Sequence, residues 1–161
     1  MKEKVYIETT IVSYLAARPS RNLLIASHQQ ITRQWWDMRG PAFDLYISEA
    51  VLEESSAGDP VLARKRVELL SEVAVLALTD GILKLAENLV REGPIPRKAS
   101  GDALHMAIAT AYACEYLLTW NCRHIANAEI QRAARVVVRR HGFELPAICT
   151  PEELMGEQEW I

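Results

Sequence analysis

Short β-prone runs alternate along this chain with helical stretches of ten or more residues, and that alternation restricts the fold more than any other feature. Val5-Tyr6-Ile7, Leu45-Tyr46-Ile47, Val73-Ala74-Val75-Leu76-Ala77-Leu78, Tyr116-Leu117-Leu118-Thr119 and Ala147-Ile148-Cys149 read as strands, the third as a buried one. Between them, Thr9 or Thr10 can cap a helix through Leu15, and a longer helix runs from Asn22 to Met38 with Leu24, Ile31 and Trp35 at helical spacing. Ser48 can cap a helix holding Val51, Leu52 and Glu54, and Val61 to Leu70 is helical. Thr79 or Asp80 opens a helix through Val90, Ser100 caps the most apolar one, to about Cys114, and another spans about Ile125 to Arg140. Thr150-Pro151-Glu152-Glu153 has the order of a capping box with proline at the first helical position. Strands joined by helical crossovers run parallel, and a parallel sheet is covered on both faces. The expectation is an α/β fold, a three-layer α/β/α sandwich with a mainly parallel central sheet. It occupies residues 1–161 as one domain with a short tail from about 156.

The 161 residues are half hydrophobic and 24% charged, the balance of an ordinary globular chain. A net charge of −3 argues against a general polyanion binder but leaves room for a nucleic-acid enzyme whose acidic site is offset by local cations. Arg64-Lys65-Arg66, Arg97-Lys98 and Arg139-Arg140 are the candidate basic patches, and each also reads as a solvated face. Three scattered cysteines make no disulfide framework, which points to a reducing compartment. The first residues lack the apolar core of a signal peptide, and no apolar run approaches the ~18 residues of a membrane span. The expected location is cytoplasmic, with no membrane partner.

Ligands of parallel α/β sheets bind beyond the carboxyl ends of the strands, so the polar residues just after each strand matter most. Glu8 follows the first strand, Glu54 lies in the helix after the second, and Asp102 is in the first turn of the apolar helix. Asn121 follows Thr119 and Trp120. Singly, each has an ordinary explanation: a solvated strand end, an acidic helix face with Glu49 and Glu53, a helix-dipole partner, a turn former. Brought together, they form a nest of hard oxygen ligands suited to Mg²⁺ or Mn²⁺. Cys122 and His124 lack two further ligands at zinc spacing, His105 reads as a hydrogen-bonded core residue, and no glycine-rich phosphate loop is present. Trp35-Trp36 reads as helix packing with one ring facing a partner.

Tyr6-Ile7-Glu8-Thr9-Thr10, Ile47-Ser48-Glu49-Ala50-Val51-Leu52-Glu53-Glu54, Asp102-Ala103-Leu104-His105-Met106-Ala107-Ile108-Ala109 and Leu117-Leu118-Thr119-Trp120-Asn121 resemble, in this order, the motifs of PIN domains, and most of all the VapC-type toxins of toxin–antitoxin pairs. The resemblance covers nearly the whole chain. It implies a PIN-like α/β/α sandwich and a Mg²⁺- or Mn²⁺-dependent ribonuclease, with Glu8, Glu54, Asp102 and Asn121 at the active-site positions and the first three as metal ligands. It also implies a homodimer inhibited by a small antitoxin protein. Two positions depart from the family: Glu8 stands where Asp is usual, and Asn121 where Asp is frequent. A catalytically weak PIN-like module that binds RNA or a protein is the alternative reading. An unrelated phosphatase or nucleotide-binding protein is disfavoured by the missing phosphate loop.

Overall fold

The computed structural model describes residues 1–157; the last four residues of the expected tail lie outside this range. Its centre is β1 (Lys4–Ile7), whose Val5, Tyr6 and Ile7 are fully buried. A strand with no exposed face belongs in the middle of a parallel sheet. β2 (Asp44–Ser48) flanks β1 on one side and β4 (Tyr116–Leu118) on the other, so that Tyr6 lies opposite both Tyr46 and Leu117. β3 (Ala74–Leu76) and β5 (Ala147–Cys149) form the edges, every pairing is parallel, and the order is β3-β2-β1-β4-β5. The chain therefore builds outward from β1 to β3, then crosses to the far side of β1 to add β4 and β5. The point where the direction reverses lies between β1 and β4, and such a switch point leaves a crevice at the carboxyl ends of the strands.

Among the described residues, seven α-helices supply the outer layers. α1 (Thr9–Ala16) packs with α2 (Leu23–Met38), α3 (Glu49–Ser55) and α4 (Pro60–Leu69), while α5 (Asp80–Arg91) packs with α6 (Ser100–Ala111) and α7 (Ala128–Arg140). Right-handed crossovers place the two groups on opposite faces, which makes the expected three-layer sandwich. α6 is buried from His105 to Thr110. Its alanines at 103, 107 and 109 let it sit close against its neighbours, and they keep the end that carries Asp102 in a fixed place.

The elements depart from the sequence expectation where tertiary contacts outweigh local pattern. The run from Val73 to Leu78 shrinks to the three-residue β3, with Ala74 and Val75 exposed, because an edge strand has no neighbour on one side. α7 begins at Ala128, not near Ile125, because the Asn127 side chain accepts hydrogen bonds from the Glu129 and Ile130 amides and caps the helix there. Glu8, rather than Thr9 or Thr10, caps α1. Ala99 stands at the cap of α6, with Ser100 its first residue. The Thr150–Glu153 capping box forms, its two reciprocal bonds at 3.1 and 3.4 Å, but holds only a turn. Trp35 is fully buried against Phe43 and donates its indole N–H to the Leu154 carbonyl, so it presents no ring to a partner; Trp36 is half-buried beside the core. Replacing Trp35 with alanine should lower stability by about 3–5 kcal/mol, the usual cost of deleting a buried aromatic side chain. Urea denaturation followed by circular dichroism measures it, and an unchanged midpoint would place this ring outside the core.

Candidate functional site

Glu8 continues the β1 ladder, its amide donating to the Leu118 carbonyl at 3.1 Å, and its side chain folds back into the β1–β4 crevice. It is only 3% exposed. Three protein donors meet the carboxylate: the hydroxyls of Thr10 and Thr119 on Oε1, and the Thr10 amide at 3.2 Å on Oε2. The same hydroxyls accept from the chain leaving β4, Thr10 from the Trp120 amide and Thr119 from the Asn121 amide, both at 2.9 Å. Two threonines thus staple the exit of β4 to the acid at the end of β1.

Glu54 reaches the same crevice from the last turn of α3. Its Oε1 accepts from Nε2 of His105, at 2.5 Å. Ligand atoms of Glu8, Glu54 and His105 lie within 4.8 Å of one another. Asp102 stands one turn before His105 in α6, and its Oδ2 accepts from His124 Nδ1 at 3.0 Å. His124 is in turn held by its own amide, which donates to Asn121 Oδ1 at 3.0 Å. Asn121 also accepts through its backbone carbonyl from the amides of Ile125 and Ala126, so it shapes the turn after β4. Hydrogen bonds therefore run from Glu8 through Thr119, Asn121 and His124 to Asp102, while Glu54, bonded to His105, joins Glu8 by proximity, all along one end of the sheet. His105 carries the electrostatic influence of Glu54, Glu8 and Asp102 together.

Thr10, Thr119, His105 and His124 were not legible as parts of this site in the sequence. The hydroxyls carry no spacing signal. The only cue for His105 was its place one turn after Asp102, and His124 stood out only beside Cys122.

Asp102 and His124 line an open cleft of about 390 Å³ with Lys98, Ala99, Gly101 and Arg123. Lys98 and Arg123 form no ion pair among the described residues. One residue of each basic patch is engaged structurally: Arg66 donates to the Ser55 and Ala57 carbonyls, Arg97 pairs with Glu87 and Arg139 with Glu144. A larger cavity, about 800 Å³, lies around Lys2, Trp36, Asp44 and Glu72, where β2 and β3 begin. That is the opposite end of the sheet from the acids.

The donor set fits a hard divalent cation. Glu8 is a buried carboxylate beside a second carboxylate, and neither pairs with a lysine or arginine among the described residues. Thr9, buried at the start of α1, adds a hydroxyl oxygen that helps hold the Glu54 carboxyl low. Carboxylate and hydroxyl oxygens in a cramped, polar crevice suit Mg²⁺ or Mn²⁺ better than zinc.

The fold is that of VapC-type PIN domains. VapBC2 of Rickettsia felis, solved bound to a promoter DNA fragment, matches with a TM-score of 0.58 at 14% identity, over 91% of this chain and 98% of that one. VapBC-1 of nontypeable Haemophilus influenzae matches at 0.57 and 16% over 92% and 98%. Mycobacterium tuberculosis VapC20, a toxin that cleaves the sarcin–ricin loop, matches at 0.52 and 19% over 70% and 86%. No protein-family profile and no curated protein sequence matches the chain. No helix among the described residues is long and apolar enough to cross a membrane.

Burial alone would raise the Glu54 carboxyl, but the hydrogen bond and charge of His105 outweigh it and hold the group below its ordinary 4.5. Burial alone would lower His105, but the bond and charge of Glu54, with help from Glu8 and Asp102, hold it above its ordinary 6.5. The depressed glutamate contributes stability above 4.5 that is lost as pH falls through its folded value. The raised histidine contributes stability below 6.5 that is lost as pH rises through its folded value. In metal-free protein, the stability difference between wild type and His105→Phe should therefore peak between 4.5 and 6.5 and shrink on both sides. Thermal melts across that range test it. A difference that does not vary with pH would show the pair is not ionised.

Proposed function

We propose that this chain is a divalent-metal-dependent endoribonuclease of the VapC type, with Glu8, Glu54 and Asp102 as metal ligands and Asn121 as an accessory group. The observation that carries the reading is the buried Glu8 carboxylate, without a lysine or arginine partner among the described residues, beside Glu54 at the β1–β4 switch point, a concentration of carboxylate oxygens that a cation would bridge. When bound, Mg²⁺ or Mn²⁺ polarises a phosphoryl oxygen and lowers the pKa of a coordinated water. The residues do the rest. Glu8 and Glu54 approach from β1 and α3, and Asp102 from the α6 end, oriented through His124. Asn121 uses its Oδ1 in the turn, which leaves its amide N–H groups to donate to a phosphate oxygen or water. Lys98 and Arg123, flanking Asp102, draw the polyanionic strand toward an otherwise acidic protein.

The longer Glu8 still serves as a ligand because its carboxylate is drawn back to the strand end by Thr10 and Thr119. Inhibition by an antitoxin protein and assembly as a homodimer belong to the same reading. Leu23 and Leu24, 87% and 66% exposed at the start of α2, offer the apolar surface that Trp35 does not. The alternative, a binding module with weak catalysis, draws on the engagement of the Asn121 side-chain oxygen within its own turn.

RNA incubated with Mn²⁺ should be cut endonucleolytically, and Asp102→Ala should lose activity by on the order of 100-fold while remaining folded, since losing even an outer-shell partner of a metal costs 10–100-fold. Cleavage that continues undiminished in excess chelator rejects the proposal, and metal-independent RNA binding without turnover favours the binding module. A second measurement addresses residue 121. Asn121→Asp should tighten Mn²⁺ binding in calorimetry, because added carboxylate charge suits a hard cation. Unchanged or weaker affinity would place residue 121 outside the metal's shell.

A further inference from the structure

His105 is 1% exposed, yet it is the one imidazole that touches the acidic crevice from the core side. Both ring nitrogens are engaged. Nε2 donates to Glu54 Oε1, since an ionised carboxylate can only accept. Nδ1 meets the Tyr6 hydroxyl at 2.7 Å. That hydroxyl lies 2.8 Å from Ser48 Oγ, which accepts from the Val51 amide at 3.3 Å and caps α3. Glu54 rides on α3. The contacts therefore close a ring through four elements: Tyr6 on β1, Ser48 at the β2–α3 junction, Glu54 on α3 and His105 on α6.

The ring answers a specific difficulty. Glu54 sits near the end of a seven-residue helix with its side chain 45% exposed, next to the exposed Glu53. Nothing in α3 itself would keep its three side-chain torsions aimed at Glu8. The imidazole can, because its own position is fixed at both ends, by burial in α6 and by Tyr6 in the most buried strand. The cluster of Glu8, Glu54 and His105 also has the spacing of a three-ligand metal site. A ring excluded from solvent, with both nitrogens committed to protein partners, is instead placed to act through Glu54.

We infer that His105 is a positioning residue, whose Nε2–H holds the Glu54 carboxylate at the distance from Glu8 that a shared divalent cation requires. The inference rests on the reading of Glu8 and Glu54 as metal ligands. Outer-shell hydrogen bonds that orient a ligand are worth about 10–100-fold in metal affinity or activity.

Mn²⁺ calorimetry on the full chain tests this with four variants. His105→Leu, which keeps bulk and removes the donor, should weaken Mn²⁺ binding by about 10–100-fold. His105→Gln, whose amide N–H can reach the Nε2 position, should recover most of the loss. Tyr6→Phe keeps the imidazole and removes its anchor, so it should show a smaller loss, and it serves if His105→Leu does not fold. Glu8→Gln reports on the underlying reading. With RNA at limiting Mn²⁺, His105→Leu should lower kcat and leave KM nearly unchanged. Full Mn²⁺ affinity in folded His105→Leu or, should that variant not fold, in Tyr6→Phe overturns the inference, as do equal losses in the Leu and Gln variants. Directly coordinated imidazole nitrogen in pulsed electron paramagnetic resonance of the bound Mn²⁺ overturns it too, by making His105 a ligand. Mn²⁺ binding that survives Glu8→Gln, or is absent in the wild type, overturns the metal-site reading and this inference with it. Loss in Glu8→Gln with retention in His105→Leu overturns only the positioning role.

Discussion

A carboxylate buried at the end of the most buried strand is the constraint around which this molecule is arranged. Leaving Glu8 without partners would cost several kcal/mol, and no lysine or arginine is supplied to offset it. The compensation comes from hydrogen bonds to the charged acceptor, each worth about 1.5–3 kcal/mol. Two of the three donors belong to Thr10 and one to Thr119. These donors in turn hold the amides of Trp120 and Asn121, so satisfying one charge also sets the path of the chain out of β4. The geometry of the crevice and the solvation of its principal acid are one problem with one solution.

The sheet order makes that solution available. Only the reversal of direction between β1 and β4 brings the residue after β1 beside the residues after β4 while leaving room above them. α6 completes the arrangement from one layer and α3 from the other. Because α6 is buried from His105 to Thr110, its polar residues at 102 and 105 are carried on a rigid rod; Asp102 emerges at the rim and His105 remains inside. Glu54 comes from a short, exposed helix and takes its position from His105.

The charge distribution also follows from this division. The protein is acidic as a whole, and several of its basic residues, Arg66, Arg97 and Arg139 among them, are tied to backbone carbonyls or to surface acids. Lys98 and Arg123 remain beside Asp102, so the cleft is cationic at its rim and anionic at its floor. Such a pattern confines positive potential to the cleft without making the whole surface basic.

The sequence by itself determined the class of fold and the acids to watch, because both depend on local order: hydrophobic period sets strand and helix, and a polar residue just past a strand must lie at the sheet's carboxyl end. The resemblance to PIN domains drew on the same segments. Tertiary structure decided what local pattern does not encode. An apolar run became a partly exposed edge strand because of where it fell in the sheet. Of the pair Trp35-Trp36, which read as helix packing with one ring facing a partner, Trp35 took the core position. Glu8 took over the cap of α1 from the threonines that followed it, and those threonines turned to serve it. His105 read as a core residue and is one by burial, but the atoms it meets come from residues 6 and 54, far from it in sequence. Hydrogen-bond partners across such separations are fixed only when the chain is packed, since they depend on distances of tenths of an ångström that no spacing along the sequence specifies.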